Sequence, residues 1–460
     1  MSSMIYWAPL LHFYQPPTQI HWVLDRICEE SYRPLIRLFN EIPTARVTVN
    51  INAVLTELLR DHGKMDIIEG LSNLAQRGQI EFTGSGKYHP ILPLIPQDEG
   101  IKQITQNWQT NRSLLGPGFN PQGFFPPEMA YDREVAPSIL ETGHRWMILS
   151  GVACPVAWPL DVVHYVPEGR DGLSVFFRDD LLSNEISFQK TDDAGFINHL
   201  RGMGHGRKDA YIVTAMDAET FGHHIKNWEK LFLEEVYEAI CPPAAVNSLE
   251  AACIPPSVPG QGTSVYSNSI SETAVAEPAP PPAQLHAQII RREEATSGIE
   301  SVTISQLLDI FPRGSAIQPF ASSWSTSGDD LRANNPYPLW KDPGNEIHRY
   351  LWEHMDISIQ MVKRSRELAD NDGSRYYADI ARGLLDRALH SDQFWWASKR
   401  PWWDINLINR GLMSQFEAVL NAYKSIRTSG CDPQMKTECY YMEVAARDLR
   451  NRIRDQLFRS

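Results

Sequence analysis

The chain has 460 residues, a net charge of −13, and hydrophobic and charged shares of 42% and 22%. A globular protein of this length exceeds what a single core fills, so two domains are expected. The acidic balance, with no basic run beyond Arg291-Arg292, excludes nucleic-acid binding, which depends on Lys and Arg neutralising phosphates. No segment has the roughly 20 uninterrupted apolar residues of a membrane helix. Met1–Pro9 lacks the basic start and apolar stretch of a signal peptide. The cysteines Cys28, Cys154, Cys241, Cys253, Cys431 and Cys439 show no CxxC spacing and read as reduced thiols. These features give the expectation of a cytoplasmic protein with neither membrane nor nucleic acid as partner.

Strands and helices alternate through the first half. Ile5 to His12 reads as a strand, followed by a helix over about Arg26–Asn40 and a strand at Arg46–Ile51. Helices are expected at Ala53–Asp61 and Asp66–Arg77, then a strand at Ile80–Thr83 and a helix at Ile101–Leu115. Gly123–Phe125, Trp146–Leu149, Ser174–Arg178 and Ala210–Met216 continue the strand series, with a helix at Arg133–Thr142. This alternation predicts a parallel sheet closed into a barrel. From about Cys241 to Ser297 the chain turns rich in Pro, Ala and Ser and reads as a flexible insertion. Val302–Phe311 reads as the last helix of the barrel. Helical periodicity then holds over Asn345–Arg366, Tyr376–His390, Ile405–Ser425 and Thr437–Arg459, which predicts a C-terminal helical bundle.

Two acidic residues follow strand-like runs directly. Glu128 follows Phe124-Phe125-Pro126-Pro127, and Asp217 follows Ala210–Met216. In a parallel barrel such positions fall at the catalytic face. A carboxylate that bonds the anomeric carbon and a second that protonates the leaving oxygen are what retaining glycoside cleavage requires, at about 5–5.5 Å separation. Taken alone, Glu128 after Pro-Pro equally fits a first-turn helix acid. Asp217-Ala218-Glu219 offers two acids, of which Glu219 suits a sugar hydroxyl or a neighbouring side chain. His12, His89, His223 and His224 raise a metal reading, but no HExxH helix or His-x-Asp pair supports it. Hydrogen bonds to sugar hydroxyls are expected of His12 and His89, and no metal or cofactor is expected. Gly84-Ser85-Gly86-Lys87 is followed by Tyr88, so it is not a phosphate loop. The 13 Trp residues are mostly core, with Trp324 as a candidate for stacking on a glucose ring.

Five segments together resemble family 57 glycoside hydrolases, the amylases, glucanotransferases and branching enzymes that act on alpha-glucans. They are His12-Phe13-Tyr14-Gln15-Pro16, Gly84–Pro90, the Glu128 segment, the Asp217 segment, and Ser391-Asp392-Gln393-Phe394-Trp395-Trp396. Tyr14 stands where the family's first motif usually has a second histidine, and Phe125 or its neighbour where the third usually has Trp. The resemblance implies a (β/α)7-type barrel of parallel strands followed by a C-terminal α-helical domain that closes the active site. The expected bounds are residues 1–335, with the insertion at about 241–297, and 336–460. It further implies Glu128 as nucleophile and Asp217 as general acid/base. Substrate contacts are expected from His12, Gln15, His89, Tyr131, Glu219, His223, Trp324, Asp392 and Trp395. Alpha-amylase-like hydrolysis of an alpha-glucan is the leading expectation. The alternative is 4-alpha-glucanotransferase or branching activity, ahead of a metal-dependent mannosidase- or deacetylase-like enzyme or a non-catalytic glucan binder.

Overall fold

The computed structural model describes residues 3–158, 160–204, 208–241 and 298–459. The Pro-rich insertion expected at 241–297 therefore lies almost wholly outside the described residues. The strands in chain order are β1 (Ile5–Phe13), β2 (Val47–Ile51), β3 (Ile80–Gly84), β4 (Gly123–Phe124) and β5 (Trp146–Ser150). They continue with β6 (Val163–Val166), β7 (Leu173–Arg178), β8 (Ala210–Asp217), β9 (Ile299–Ser301) and β10 (Arg313–Ala316). Seven of them, β1-β2-β3-β4-β5-β7-β8, pair in parallel, and β8 returns to β1 to close the ring. The expected seven-stranded barrel is thus present. β6 runs antiparallel on β7 and carries β10 at its edge, while β9 adds to β1.

The strands read as continuous apolar runs because both their faces are covered. Every residue of β2 and β5 is buried, as expected where helices cover the outside and side chains fill the inside. All seven barrel strands point the same way, so their C-terminal ends share one mouth. His12, Gly84, Phe124, Arg178 and Asp217 lie at or next to those ends.

The helix expected over Arg26–Asn40 is present within one continuous run, His21–Ile27 and Arg33–Glu41 joined by a π turn at Cys28–Tyr32. After the barrel come long helices at Glu346–Glu367, Asp372–Ala388, Ile405–Thr428 and Pro433–Leu457. Side-chain caps fix their starts: Asn345, Asn371, Asp404 and Asp432 each accept from a first-turn N–H. The expected boundary at 335/336 falls in the irregular segment before Glu346. One apolar core runs without a break from barrel residues Phe124, Trp146 and Tyr211 into Leu351, Phe416 and Val419 of these helices. The helical region is therefore seated on the barrel through shared side-chain packing.

Candidate active site

β4 is only two residues long, and its glycine is obligatory. A Cβ on Gly123 would stand 2.0 Å from the Trp146 ring. Beyond it, Pro126 and Pro127 turn the chain, and Glu128 and Met129 take φ of +59° and +48°. Left-handed backbone at non-glycine residues costs about 1–3 kcal/mol and is kept only where neighbours enforce it. Here Met129 N–H donates to Pro126 O at 2.7 Å, Ala130 N–H to Pro127 O at 3.0 Å, and Trp324 N–H to Glu128 O at 3.0 Å. The turn presents the Glu128 carboxylate to the mouth. Trp324 Nε1–H donates to its Oε2 at 2.8 Å, and Ser391 Oγ–H donates to its Oε1 at 3.4 Å. His89 Nδ1 lies 3.5 Å from the same Oε1. Burial pushes the Glu128 carboxyl up to about 8, the charges of Asp392 and Asp217 add to this, and the Trp324 and Ser391 donors oppose it.

Asp217 ends β8, and His12 of β1 is its register partner. His12 is locked by Asn50, whose Oδ1 is 2.6 Å from Nδ1, and by stacking on Phe125 at 4.7 Å and 13°. Burial lowers the His12 pKa, against the pull of Asp217. Two residues on, Glu219 is almost fully enclosed. Its Oε1 accepts from Gln15 Nε2 at 2.8 Å and from the Tyr32 hydroxyl. Burial, and secondarily the Asp217 charge, pushes the Glu219 carboxyl up to about 8. The π turn explains this placement, since three consecutive residues of it grip one loop. Glu30 binds His223 Nδ1 at 2.6 Å, Ser31 Oγ donates to Ala218 O at 2.8 Å, and Tyr32 reaches Glu219. Such turns recur at functional sites.

The helical region supplies the third wall. Asp392 Oδ2 accepts from the Tyr14 hydroxyl and lies 3.0 Å from His390 Nδ1. Tyr14 in turn stacks on His89 at 4.0 Å and 18°. The residue that departs from the family's first motif thereby ties β1 to the helical region. Trp395 stacks on Trp402 at 5.4 Å and 20°. Arg178 closes the floor, donating through Nε to Ala215 O at 2.7 Å, with its guanidinium 6.0 Å from the Trp324 ring.

These groups surround one cleft of about 840 Å³. Glu128, Asp217, His12, Gln15, His89, Glu219, Trp324, Asp392 and Trp395 all line it. Two expected contacts do not. The Tyr131 ring is wholly buried, because the left-handed turn at Glu128–Met129 sends the following residues into the core. Only its backbone acts locally, pairing with Ser322. His223 points to Glu30, while His224 lines the cleft. Sequence reasoning passed over Ser391, Tyr32 and Arg178 as site residues. The signal for Arg178 was available in a charged residue ending the apolar run Leu173–Phe177. Tyr32, 185 positions before Asp217, carried none. Among the described residues, no three His, Cys, Asp or Glu side chains converge into a group able to hold a metal ion.

The sequence profile of glycosyl hydrolase family 57 matches residues 10–250, more than half of the chain. The chain belongs to glycosyl hydrolase family 57. Among curated relatives, the alpha-amylase of Pyrococcus abyssi is 25% identical over 249 residues, which cover 52% of this chain and 36% of that one. The 4-alpha-glucanotransferase of Thermococcus kodakarensis is 27% identical, covering 52% and 37%. The match thus spans little more than a third of these relatives' own length. The family 57 branching enzyme of Pyrococcus horikoshii superimposes with a TM-score of 0.63 at 14% identity, covering 95% of this chain and 94% of that one. The alpha-amylase of Thermotoga maritima gives 0.61 at 16%, covering 96% and 97%. These two likenesses establish the fold over nearly the whole chain, including the helical region that the family profile leaves out.

Proposed function

We propose that this chain is a retaining enzyme of alpha-glucans, with Glu128 as nucleophile and Asp217 as general acid/base. One observation supports the reading most. Glu128 sits in the turn that follows β4 and Asp217 ends β8, strands on opposite sides of the seven-stranded ring, and both carboxylates line the same sugar-sized cleft. Glu128 Oε attacks the anomeric carbon, the glycosidic C–O bond breaks, and Asp217 gives its proton to the departing oxygen. Asp217 then takes a proton from water, whose oxygen displaces Glu128 and restores the carboxylate. The reactive form has Glu128 ionised, a fraction that grows as pH rises toward about 8. The Trp324 and Ser391 donors stabilise that form. His12, Gln15, His89, Glu219, Trp324, Asp392 and Trp395 form the sugar-binding walls in this reading.

Hydrolysis is the first expectation and glycosyl transfer the second. They share the covalent step and differ in whether water or a sugar hydroxyl accepts the glycosyl group. The aromatic lining of Trp324, Trp340 and Trp395 suits an acceptor sugar. Incubation with maltoheptaose, with products resolved by length and their initial anomeric form read by NMR, tests the reading. Retained α-configuration is expected, with shorter sugars for hydrolysis and longer ones for transfer. Inverted product, or near-normal turnover by Glu128→Gln, refutes the nucleophile assignment.

A further inference from the structure

Glu128 comes from the barrel, but one of its two side-chain donors comes from the helical region more than 260 positions away. Ser391 is 1% exposed and is held by its backbone on both sides. Its N–H donates to His89 O at 3.1 Å, and its carbonyl accepts from Phe394 N–H at 3.1 Å. Its hydroxyl has two neighbours, His89 Nδ1 at 2.9 Å and Glu128 Oε1 at 3.4 Å. The His89 ring nitrogen is nearer to the serine, at 2.9 Å, than to the carboxylate, at 3.5 Å. The histidine stacks on Tyr14 at 4.0 Å and packs beside His12 at 5.1 Å, with its own backbone at φ +58°.

A serine hydroxyl has one proton and two lone pairs. Burial keeps His89 neutral, and its Nε2 is buried without a partner. With Nδ1 carrying the ring proton, His89 donates to Ser391 Oγ, and the only acceptor left for the serine's own proton is Glu128. From this connectivity we infer that Ser391 is a positioning residue for the reaction: it relays the fixed His89 to the nucleophile and favours the ionised, correctly turned Glu128 carboxylate. The 3.4 Å distance is long for a ground-state hydrogen bond, and such contacts tighten once substrate fills the site. The groups facing Glu128 are Trp324, Ser391, His89, Asp392 and Asp217. Of these, only Trp324 and Ser391 donate to its carboxylate and favour its charge.

The inference rests on Glu128 being the nucleophile, and the test separates the two. The profile of kcat/KM against pH on maltoheptaose is measured for the wild type, Ser391→Ala and Ser391→Thr. The acid limb of Ser391→Ala should move to higher pH by about half to one unit, a three- to tenfold loss of kcat/KM on the acid side. KM should change less than about twofold. Ser391→Thr keeps the hydroxyl and should restore the limb, which a merely structural role would not require. A Ser391→Ala limb coincident with that of an active wild type overturns the inference, as does a Thr variant displaced as far as Ala. A wild type inert on alpha-glucans, or a Glu128→Gln variant that still turns over, removes the underlying reading instead.

Discussion

Glu128→Gln should make the protein more stable, and increasingly so as pH rises. The folded carboxyl is pushed up to about 8 from an ordinary 4.5, chiefly by burial. A carboxyl raised on folding is favourable to the native state only while protonated, so its contribution declines from about pH 4.5 and is fully lost above about pH 8. A difference of about 3.5 units corresponds to nearly 5 kcal/mol in a closed site. The Glu128 side chain is 18% exposed to the cleft, which reduces the measurable penalty to about 2–4 kcal/mol. Glutamine is uncharged at every pH and nearly isosteric. Its oxygen can accept from Trp324 Nε1–H while its amide faces Ser391 Oγ; the serine proton then loses its acceptor, a pH-independent cost on the order of 1 kcal/mol that leaves the slope with pH unchanged. Urea unfolding of both proteins at pH 5, 7 and 9 is the assay. The variant should be nearly equal to the wild type at pH 5 and exceed it by about 2–4 kcal/mol at pH 9. Glu219, also held near 8, is common to both proteins and cancels. A stability difference that is flat across this range refutes the argument that burial holds the Glu128 proton.

Two further outcomes follow from the same geometry. Trp324→Phe keeps an aromatic ring beside Arg178 but deletes the 2.8 Å N–H donor to Glu128. It should lower kcat about 10- to 100-fold, as expected for a hydrogen bond to a charged group worth about 1.5–3 kcal/mol, with a smaller effect on KM in steady-state kinetics. Arg382→Met removes the cation that joins Glu99 of the helix Gln97–Leu115 to Asp386 at 2.9 and 2.6 Å. Glu99 and Asp386 are then left with Lys102 Nζ, 3.4 Å from Asp386, as a remaining cation, and urea unfolding should show a loss of about 3 kcal/mol.

The barrel was legible because its strands are buried on both faces and read as apolar runs at regular spacing. The strands outside the ring were not. β6 (VHYV) and β10 (RGSA) are only four residues each, and β10, at the sheet's edge, is polar with no apolar pattern imposed on it. The π turn escaped for a different reason. It widens a single turn and shifts the side-chain register by about one residue, too local a change to interrupt the helical pattern of Arg26–Asn40, which therefore read as one helix. At the site, strand-end acids and motif spacing led to the residues that line the cleft. Adjacency in sequence misled at Tyr131 and His223. Each comes within two residues of a left-handed residue, Met129 at φ +48° and Gly222 at φ +100°, which redirects the chain. A Cβ on Gly222 would stand 1.8 Å from Glu30 O, so this loop is shaped by the π turn that grips it.

The family profile covers residues 10–250 and contains both Glu128 and Asp217, yet it does not contain a working environment for Glu128. Trp324 and Ser391, the two donors that favour its charge, lie beyond it, as does Asp392, whose charge opposes ionisation. The strained turn at Glu128 is itself pinned by the Trp324 backbone N–H. Without these contacts, burial would leave a Glu128 carboxyl that holds its proton and has no fixed orientation, unsuited to the proposed attack on a sugar. The helical region is joined to the barrel through a continuous apolar core and through buried ion pairs. Packing energy on that interface therefore sets the geometry of Glu128, the proposed nucleophile. A substitution such as Arg382→Met, distant from the cleft, should accordingly depress kcat before it unfolds the protein.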